Sequence, residues 1–132
     1  MERSGIHAVD SLRGVYVLVV DADADGRTLL ATILRYCGAY VKEASSTREA
    51  FDLMAQMLPD VLVVDLATDT DDFWLIRQVR ALKPDAGGMV RAIALGPRAR
   101  EEMARSRGFD GYLAKPFDPW ELCRLASSLL TA

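Results

Sequence analysis

Three residues of this chain have types and positions that suit phosphoryl-group chemistry: Asp21, Asp65 and Lys115. Each of them directly follows an apolar run. Carboxylates held close together repel each other, and a hard cation such as Mg²⁺ relieves that repulsion through oxygen ligands. A neighbouring lysine can hold the oxygens of an incoming phosphoryl group. The chemistry predicted for these residue types is therefore phosphoryl transfer, with Asp65 as the nucleophile that forms an aspartyl phosphate.

The position of Asp65 supports that role. It ends the run Val61-Leu62-Val63-Val64, in which three of the four residues are β-branched. Such a run predicts a strand that is covered on both faces. In an open parallel sheet, ligands bind beyond the carboxyl ends of the strands, so an acid at this position is a functional candidate. The alternative is that the Asp65 carboxylate only caps the following loop.

The apolar runs predict the elements that must bring these residues together. Five short runs predict strands over residues 15–20, 39–44, 61–65, 90–95 and 111–114. The segments between and after them carry apolar residues at helical spacing; in the first of these helices, Leu29, Leu30 and Ile33 belong to the stripe expected to be buried. Alternating strands and helices favour right-handed crossovers and a doubly wound parallel sheet with helices on both faces.

Length and composition limit the remaining possibilities. The 132 residues suit one domain, which we expect over residues 15–132, after a flexible leader or linker over residues 1–14. A net charge of −3 argues against direct nucleic-acid binding. The sequence has no apolar run long enough to span a membrane and no signal-peptide pattern, so we expect a cytoplasmic protein without membrane contact. Cys37 and Cys123 are expected to be reduced packing residues.

Four segments, in this order and spacing, resemble the receiver domain of two-component response regulators. They read VLVVD, PDVLVVD, AIAL and GFDGYLAKPF and lie at residues 17–21, 59–65, 92–95 and 108–117. The resemblance implies a flavodoxin-like α/β fold, in which five parallel strands in the order 2-1-3-4-5 alternate with five helices. It extends from about residue 15 to residue 130 and also fits the receiver of a hybrid histidine kinase.

The resemblance also implies roles for individual residues. Asp65 would accept the phosphoryl group from a histidine of a partner kinase or phosphotransfer protein, and Lys115 would bind a phosphoryl oxygen. Asp21 and Asp65 would hold Mg²⁺ together with the backbone carbonyl of Ala67. The chain departs from the family at Ala22, where a second acid is usual. Asp23, or Asp25 further along the loop, is a candidate replacement ligand; without one, we expect a weakened metal site.

A second departure concerns the switch that the resemblance implies. Gly96 stands where the family has a threonine or serine, so this position has no hydroxyl group for the phosphoryl group. Tyr112 occupies the aromatic position that changes rotamer on activation in the family. With Pro97 following Gly96, we expect a rigid loop and a tyrosine uncoupled from phosphorylation. The resemblance further implies a cis bond between Lys115 and Pro116.

Two functions remain open. The first is a phosphoacceptor signalling domain of a phosphorelay, with a kinase or phosphotransfer protein upstream and a protein partner downstream. On this reading the chain is not an enzyme beyond its own phosphorylation and dephosphorylation. The second is a pseudo-receiver that serves as a constitutive interaction or dimerisation module; a homodimer is a candidate state in either case. A candidate basic and aromatic docking face consists of Arg98, Arg100, Arg105, Arg107, Phe117 and Trp120. The alternative, which we favour slightly, is a solvated helix with Phe117 and Trp120 partly buried.

Overall fold

The apolar runs form the five strands of one parallel sheet. The computed structural model describes residues 11–66 and 73–131. The strands are β1 (Tyr16–Val20), β2 (Tyr40–Ala44), β3 (Val61–Asp65), β4 (Arg91–Gly96) and β5 (Gly111–Ala114). Their order is β2-β1-β3-β4-β5, and every neighbouring pair is parallel. The predicted flavodoxin-like fold is confirmed, including the strand order.

Five α-helices connect or follow these strands within the described residues. They are α1 (Ala24–Tyr36), α2 (Thr47–Met57), α3 (Trp74–Arg80), α4 (Glu101–Arg107) and α5 (Pro119–Thr131). Side-chain caps begin two of them, because Asp23 accepts from the Gly26 amide and Ser46 accepts from the Glu49 amide. These caps set where α1 and α2 leave the carboxyl ends of the preceding strands.

The two faces of the sheet carry separate cores, as a doubly wound arrangement requires. One core lies between the sheet and α2, α3 and α4; its largest fully buried side chains are Leu18, Met54, Leu62, Leu66, Leu75 and Ile76. The other lies between the sheet and α1 and α5; its largest are Leu12, Val17, Leu34, Ile93, Leu95 and Leu122. Every residue of β3 is buried, which agrees with a central strand covered on both faces.

The packed part of the chain begins before the predicted boundary. Residues 11–14, which the sequence assigns to the leader, form a turn. Leu12 is fully buried, and its amide donates to the Cys37 carbonyl over 2.9 Å. Apolar burial and a backbone hydrogen bond thus hold this turn against the end of α1, so the prediction of a flexible leader is wrong for residues 11–14. Residues 1–10 lie outside the described part of the chain.

The two cysteines have the packing role predicted for them. Cys37 and Cys123 are free thiols and are fully buried in the core beside α1 and α5. The Cys123 Sγ lies 3.8 Å from the Ile33 carbonyl oxygen, to which it donates. Burial raises the pKa of the Cys123 thiol well above its ordinary value. A thiol that stays protonated is a poor nucleophile and metal ligand.

Phe117 and Trp120 are partly buried against the core beside α1 and α5, which agrees with the alternative to a docking face, whereas Arg100 and Arg107 lie on the other side of the sheet. The ring of Trp120 packs edge-on against Tyr36 of α1, with 5.5 Å between the ring centres. The guanidinium groups of Arg100 and Arg107 lie 5.1 and 5.4 Å from the centre of the Phe73 ring, which belongs to the other core. Helical periodicity shows which residues share a helix face, but it does not show which side of a sheet that helix covers.

The length and apolar character of the helices bear on the expectation that the chain does not span a membrane. Across residues 11–66 and 73–131, none of the helices combines the length and apolar character needed to cross a bilayer.

Candidate functional site

The structure brings Asp21, Asp65 and Lys115 to one cavity at the carboxyl end of the sheet. Asp21 follows β1, Asp65 ends β3 and Lys115 follows β5. The cavity has a volume of about 460 Å³; besides these three residues, its lining includes Ala22, Asp23 and Gly26. Parallel register explains the convergence, because β1 and β3 pair up to Val20 and Val64, immediately before the two acids.

Asp65 and Lys115 form an ion pair across the end of the sheet. The Lys115 ammonium contacts the Oδ2 atom of Asp65. The carboxylate is buried, with an exposed fraction of 6%, whereas the lysine side chain is 46% exposed. A buried anion is costly unless a charge or several donors compensate it. Lys115 therefore compensates Asp65 while its own flexible stem reaches toward solvent.

Asp21 is the second buried carboxylate of the cavity. Its Oδ1 accepts from the Asp23 amide over 2.9 Å, and its backbone carbonyl accepts from the Arg27 guanidinium over 2.7 Å. Burial is the largest influence on the pKa of Asp21 and raises it above the ordinary value, and the negative charges of Asp65 and Asp23 act in the same direction. The Asp23 amide and Lys115 oppose this rise only in part. A cation in the cavity would favour the ionised form of Asp21.

Gly26 is a site residue that sequence reasoning missed. A Cβ atom on Gly26 would lie 2.8 Å from Asp21 Oδ2 and 3.0 Å from Asp23 Oδ2. Both separations are too short, so the bare Cα of glycine makes room for two carboxylates at the start of α1. A signal was present in the sequence, because glycine is unfavourable within a helix and its presence in the first turn needs a reason.

The donor set fits a hydrated Mg²⁺ ion. Mg²⁺ keeps several water ligands and needs only one or two carboxylates from the protein, which Asp21 and Asp65 can provide. Among residues 11–66 and 73–131, no group of three or more His, Cys, Asp or Glu side chains is arranged to hold a metal. Asp23 uses its Oδ2 to cap α1, where it accepts from the Gly26 amide over 2.7 Å. The predicted carbonyl ligand, Ala67, lies outside the described residues.

Gly96, at the end of β4, and Tyr112, on the neighbouring strand β5, contact each other. Tyr112 points inward with an exposed fraction of 6%, and its hydroxyl group donates to the Pro97 carbonyl. A Cβ atom on Gly96 would lie 2.8 Å from that hydroxyl oxygen. The Gly96 carbonyl accepts from the Lys115 amide over 2.9 Å, so the glycine also borders the ion pair. The Lys115-Pro116 bond is cis, in agreement with the expectation from the resemblance.

An apolar cavity of about 520 Å³ adjoins the acidic one. It shares Asp21, Asp65 and Lys115 with the site, and its apolar lining includes Leu29, Leu30, Leu95, Phe117 and Pro119. Leu29 is 53% exposed, so the prediction that it is buried in the helix stripe is wrong. The stripe assignment failed because Leu29 lies near the start of α1 and borders an open cavity, whereas Leu34, further along α1, is fully buried in the core.

Fold and site together define a doubly wound α/β domain with two carboxylates and a lysine at the carboxyl end of its sheet. A family model described as the response regulator receiver domain matches residues 17–127. This chain therefore belongs to the receiver domain family of response regulators.

Curated relatives agree with this assignment. The chain is 42% identical over 128 residues to an "uncharacterized 14.6 kDa protein in sodA1 3'region" from Leptolyngbya boryana, covering 94% of this chain and 96% of that protein. It is 35% identical over 107 residues to the probable transcriptional regulator ycf27 of Guillardia theta, covering 80% of this chain and 41% of the relative. The transcriptional regulatory protein ResD of Bacillus subtilis is 30% identical, with coverages of 92% and 50%. The chain thus spans about half or less of these two regulators.

Solved structures give the same fold. A putative response regulator from Chloroflexus aurantiacus superimposes with a TM-score of 0.81 at 29% identity, covering 89% of this chain and 98% of that one. The receiver domain of the sensor histidine kinase PA1611 from Pseudomonas aeruginosa also gives a TM-score of 0.81, at 26% identity, with coverages of 90% and 99%. That second structure holds a magnesium ion in its active site cleft.

Proposed function

We propose that this chain is a phosphoacceptor domain of a two-component phosphorelay, taking a phosphoryl group on Asp65 from a histidine kinase or phosphotransfer protein. The observation that carries the proposal is the contact between the buried Asp65 carboxylate and the Lys115 ammonium, with Asp21 beside them in the same cavity. An acid at the end of a buried central strand is held in place by the sheet, and Asp65 lines the cavity through which a donor would approach.

The site residues would act in a single displacement. An Asp65 carboxylate oxygen attacks the phosphorus atom, and the bond between phosphorus and the donor histidine nitrogen breaks. Before transfer, Lys115 compensates the charge of Asp65; after transfer, its ammonium can move onto a phosphoryl oxygen, because the half-exposed stem is free to adjust. Lys115 would therefore pair first with the Asp65 carboxylate and then with the acyl phosphate.

Mg²⁺ in this site would offset the charges of the carboxylates and of the incoming phosphoryl group. Asp21 and Asp65 would hold it, with water completing the coordination. The magnesium ion in the PA1611 receiver supports the assignment of this metal. A cation would favour the ionised form of Asp21, because its carboxylate is buried and lies near two other acids.

The experiment compares three proteins under saturating acetyl phosphate and Mg²⁺, with intact mass as the readout. The wild type should gain the mass of one phosphoryl group. Asp65→Asn should gain none, because the amide is not a nucleophile. Asp52→Asn is the matched control, since the same substitution is made at an exposed position of α2, and it should behave as the wild type.

A second candidate is the pseudo-receiver that binds a protein partner, or a second copy of itself, without phosphorylation. Two features of the chain favour it: Ala22 contributes no carboxylate to the cavity wall, and Gly96 at the end of β4 offers no hydroxyl group. A wild type that gains no mass in the experiment above would favour this candidate. Sedimentation of the wild type with and without phosphodonor would then test dimerisation, since a pseudo-receiver dimer should not respond to the donor.

A further inference from the structure

The backbone conformation at Gly96 does not require glycine. It ends β4 in an extended conformation and is not one of the glycines with a positive φ, which in the described residues are Gly14, Gly38, Gly87 and Gly108. Any residue could adopt this backbone conformation. The reason must therefore lie in the space around the Cα atom of Gly96.

We propose that Gly96 and Tyr112 form a steric lock, in which the tyrosine hydroxyl group fills the volume that a side chain at position 96 would need. A Cβ atom there would lie 2.8 Å from the Tyr112 hydroxyl oxygen and 3.3 Å from Leu66 Cδ1. The hydroxyl group is anchored in that volume because it donates to the Pro97 carbonyl. The inward position of Tyr112 thus depends on the absence of a side chain at Gly96.

The lock joins the last strands of the sheet to the loop that follows β4. Tyr112 lies on β5 and pairs with Ala94, so its ring reaches two residues along β4, to the level of Gly96 and Pro97. The ring belongs to the core beside α2, α3 and α4. The contacts that define the lock are those of Tyr112 with Gly96, Pro97 and the core, so the inference does not rest on phosphorylation.

Tyrosine nitration by tetranitromethane, read by peptide mass, tests the position of Tyr112. Tyr16, Tyr36 and Tyr40 are internal controls, because they are 48%, 60% and 60% exposed. In the wild type we expect these three to react and Tyr112 to stay unmodified. The same protection is expected in Asp65→Asn. Nitration of Tyr112 at the rate of the exposed tyrosines, in either protein, would overturn the lock.

A double-mutant cycle tests the contact itself. Gly96→Ala should expose Tyr112 to nitration and should raise the equilibrium constant for unfolding in the Tyr112 background. In the Tyr112→Phe background the Cβ atom has room, so Gly96→Ala should raise that constant far less. We expect the two effects to differ about tenfold, within the range for residues in contact. Equal effects of Gly96→Ala in both backgrounds would contradict the proposal. If Gly96→Ala alone does not fold, the lock still predicts that the double variant folds.

Discussion

The ammonium group of Lys115, which follows β5, contacts the carboxylate of Asp65 at the end of β3, across the end of the strand between them. Both residues depend on the parallel register of β3, β4 and β5, which brings three strand ends to one edge. The pair is asymmetric, since the acid is buried and the lysine is half exposed. In the transfer that we propose, the lysine moves onto a phosphoryl oxygen while Asp65 stays in place.

Replacing Lys115 should affect transfer much more than stability. Lys115→Ala removes the ammonium that we propose holds the phosphoryl oxygen, and we expect phosphorylation by acetyl phosphate to slow about 100-fold. It also removes one positive charge that offsets the charge of Asp65, but because the lysine is half exposed, solvent limits the loss of unfolding free energy to about 1 kcal/mol. Rates from intact mass and urea unfolding measure the two effects.

The matched control is Lys83→Ala, which removes an exposed lysine away from the cavity. It should change neither the rate nor the free energy of unfolding. A Lys115→Ala protein that is phosphorylated at the wild-type rate would exclude a role for this ammonium in the reaction.

The buried carboxylate of Asp21 predicts a specific pH dependence. Because burial raises its pKa in the folded state, the folded protein binds a proton here more readily than the unfolded chain does. The ionised carboxylate thus lowers stability above the folded pKa, and that penalty disappears as the pH falls below the ordinary value of 3.8. At pH 7 without Mg²⁺, Asp21→Asn should therefore be more stable than the wild type, and the difference should shrink toward pH 4.

Urea unfolding of both proteins across this pH range measures the difference. For Asp52→Asn, at an exposed site, the difference in stability from the wild type should not shrink between pH 7 and pH 4. A stability difference between Asp21→Asn and the wild type that stays constant from pH 7 to pH 4 would show that the Asp21 charge carries no penalty.

Gly26→Ala should weaken metal binding although alanine favours helices. Helix propensity alone would stabilise the variant by about 1 kcal/mol. The new Cβ atom would lie too close to Asp21 Oδ2 and Asp23 Oδ2, so both carboxylates must move. We expect a Mg²⁺ affinity roughly 10- to 100-fold lower, as for other changes that misplace ligands.

Calorimetric titration with Mg²⁺ measures the affinity, and Thr28→Ala, at an exposed position on the same helix, is the control. Unchanged affinity in Gly26→Ala would show that the cavity tolerates displaced carboxylates or that the metal is held by other groups.

Arg80 lies outside the site, and we expect its side chain to contribute to the stability of the fold. Its guanidinium donates to the carbonyls of Gly88, Val90 and Gly108 and pairs with Asp110 over 2.9 Å. Lysine cannot reproduce this planar set of donors. We expect Arg80→Lys to lower the free energy of unfolding by about 2 kcal/mol, since part-buried acceptors lose their donors. Urea unfolding measures this, with the exposed Arg124→Lys as control; equal stability of the two variants would show that the carbonyls find other partners.

The convergence of Asp21, Asp65 and Lys115 could be predicted from the sequence, because parallel strands place their carboxyl ends at one edge whatever the details of packing. The contact between Gly96 and Tyr112 could not, since it depends on how far a side chain on one strand reaches along its neighbour. The space that Gly26 leaves for two carboxylates depends in the same way on the path of a loop, which residue types alone do not determine.

The leader and the candidate docking face show a second limit of prediction from the sequence. Leu12 lies in a short polar segment without periodicity, so nothing in the sequence distinguishes it from a solvated residue, although it fills a gap at the end of α1. Trp120 and Arg100 are near in sequence but belong to elements on opposite sides of the sheet. Proximity along the chain therefore gave no information about a shared surface.

The most direct test of the central claim locates the phosphoryl group. After treatment with acetyl phosphate and Mg²⁺, borohydride reduction converts an aspartyl phosphate into homoserine, and peptide mass identifies the position. We predict conversion at Asp65 in the wild type and in Asp52→Asn, and none in Asp65→Asn. Absence of conversion at Asp65 under saturating donor, or conversion at another aspartate that persists in Asp65→Asn, would contradict the account.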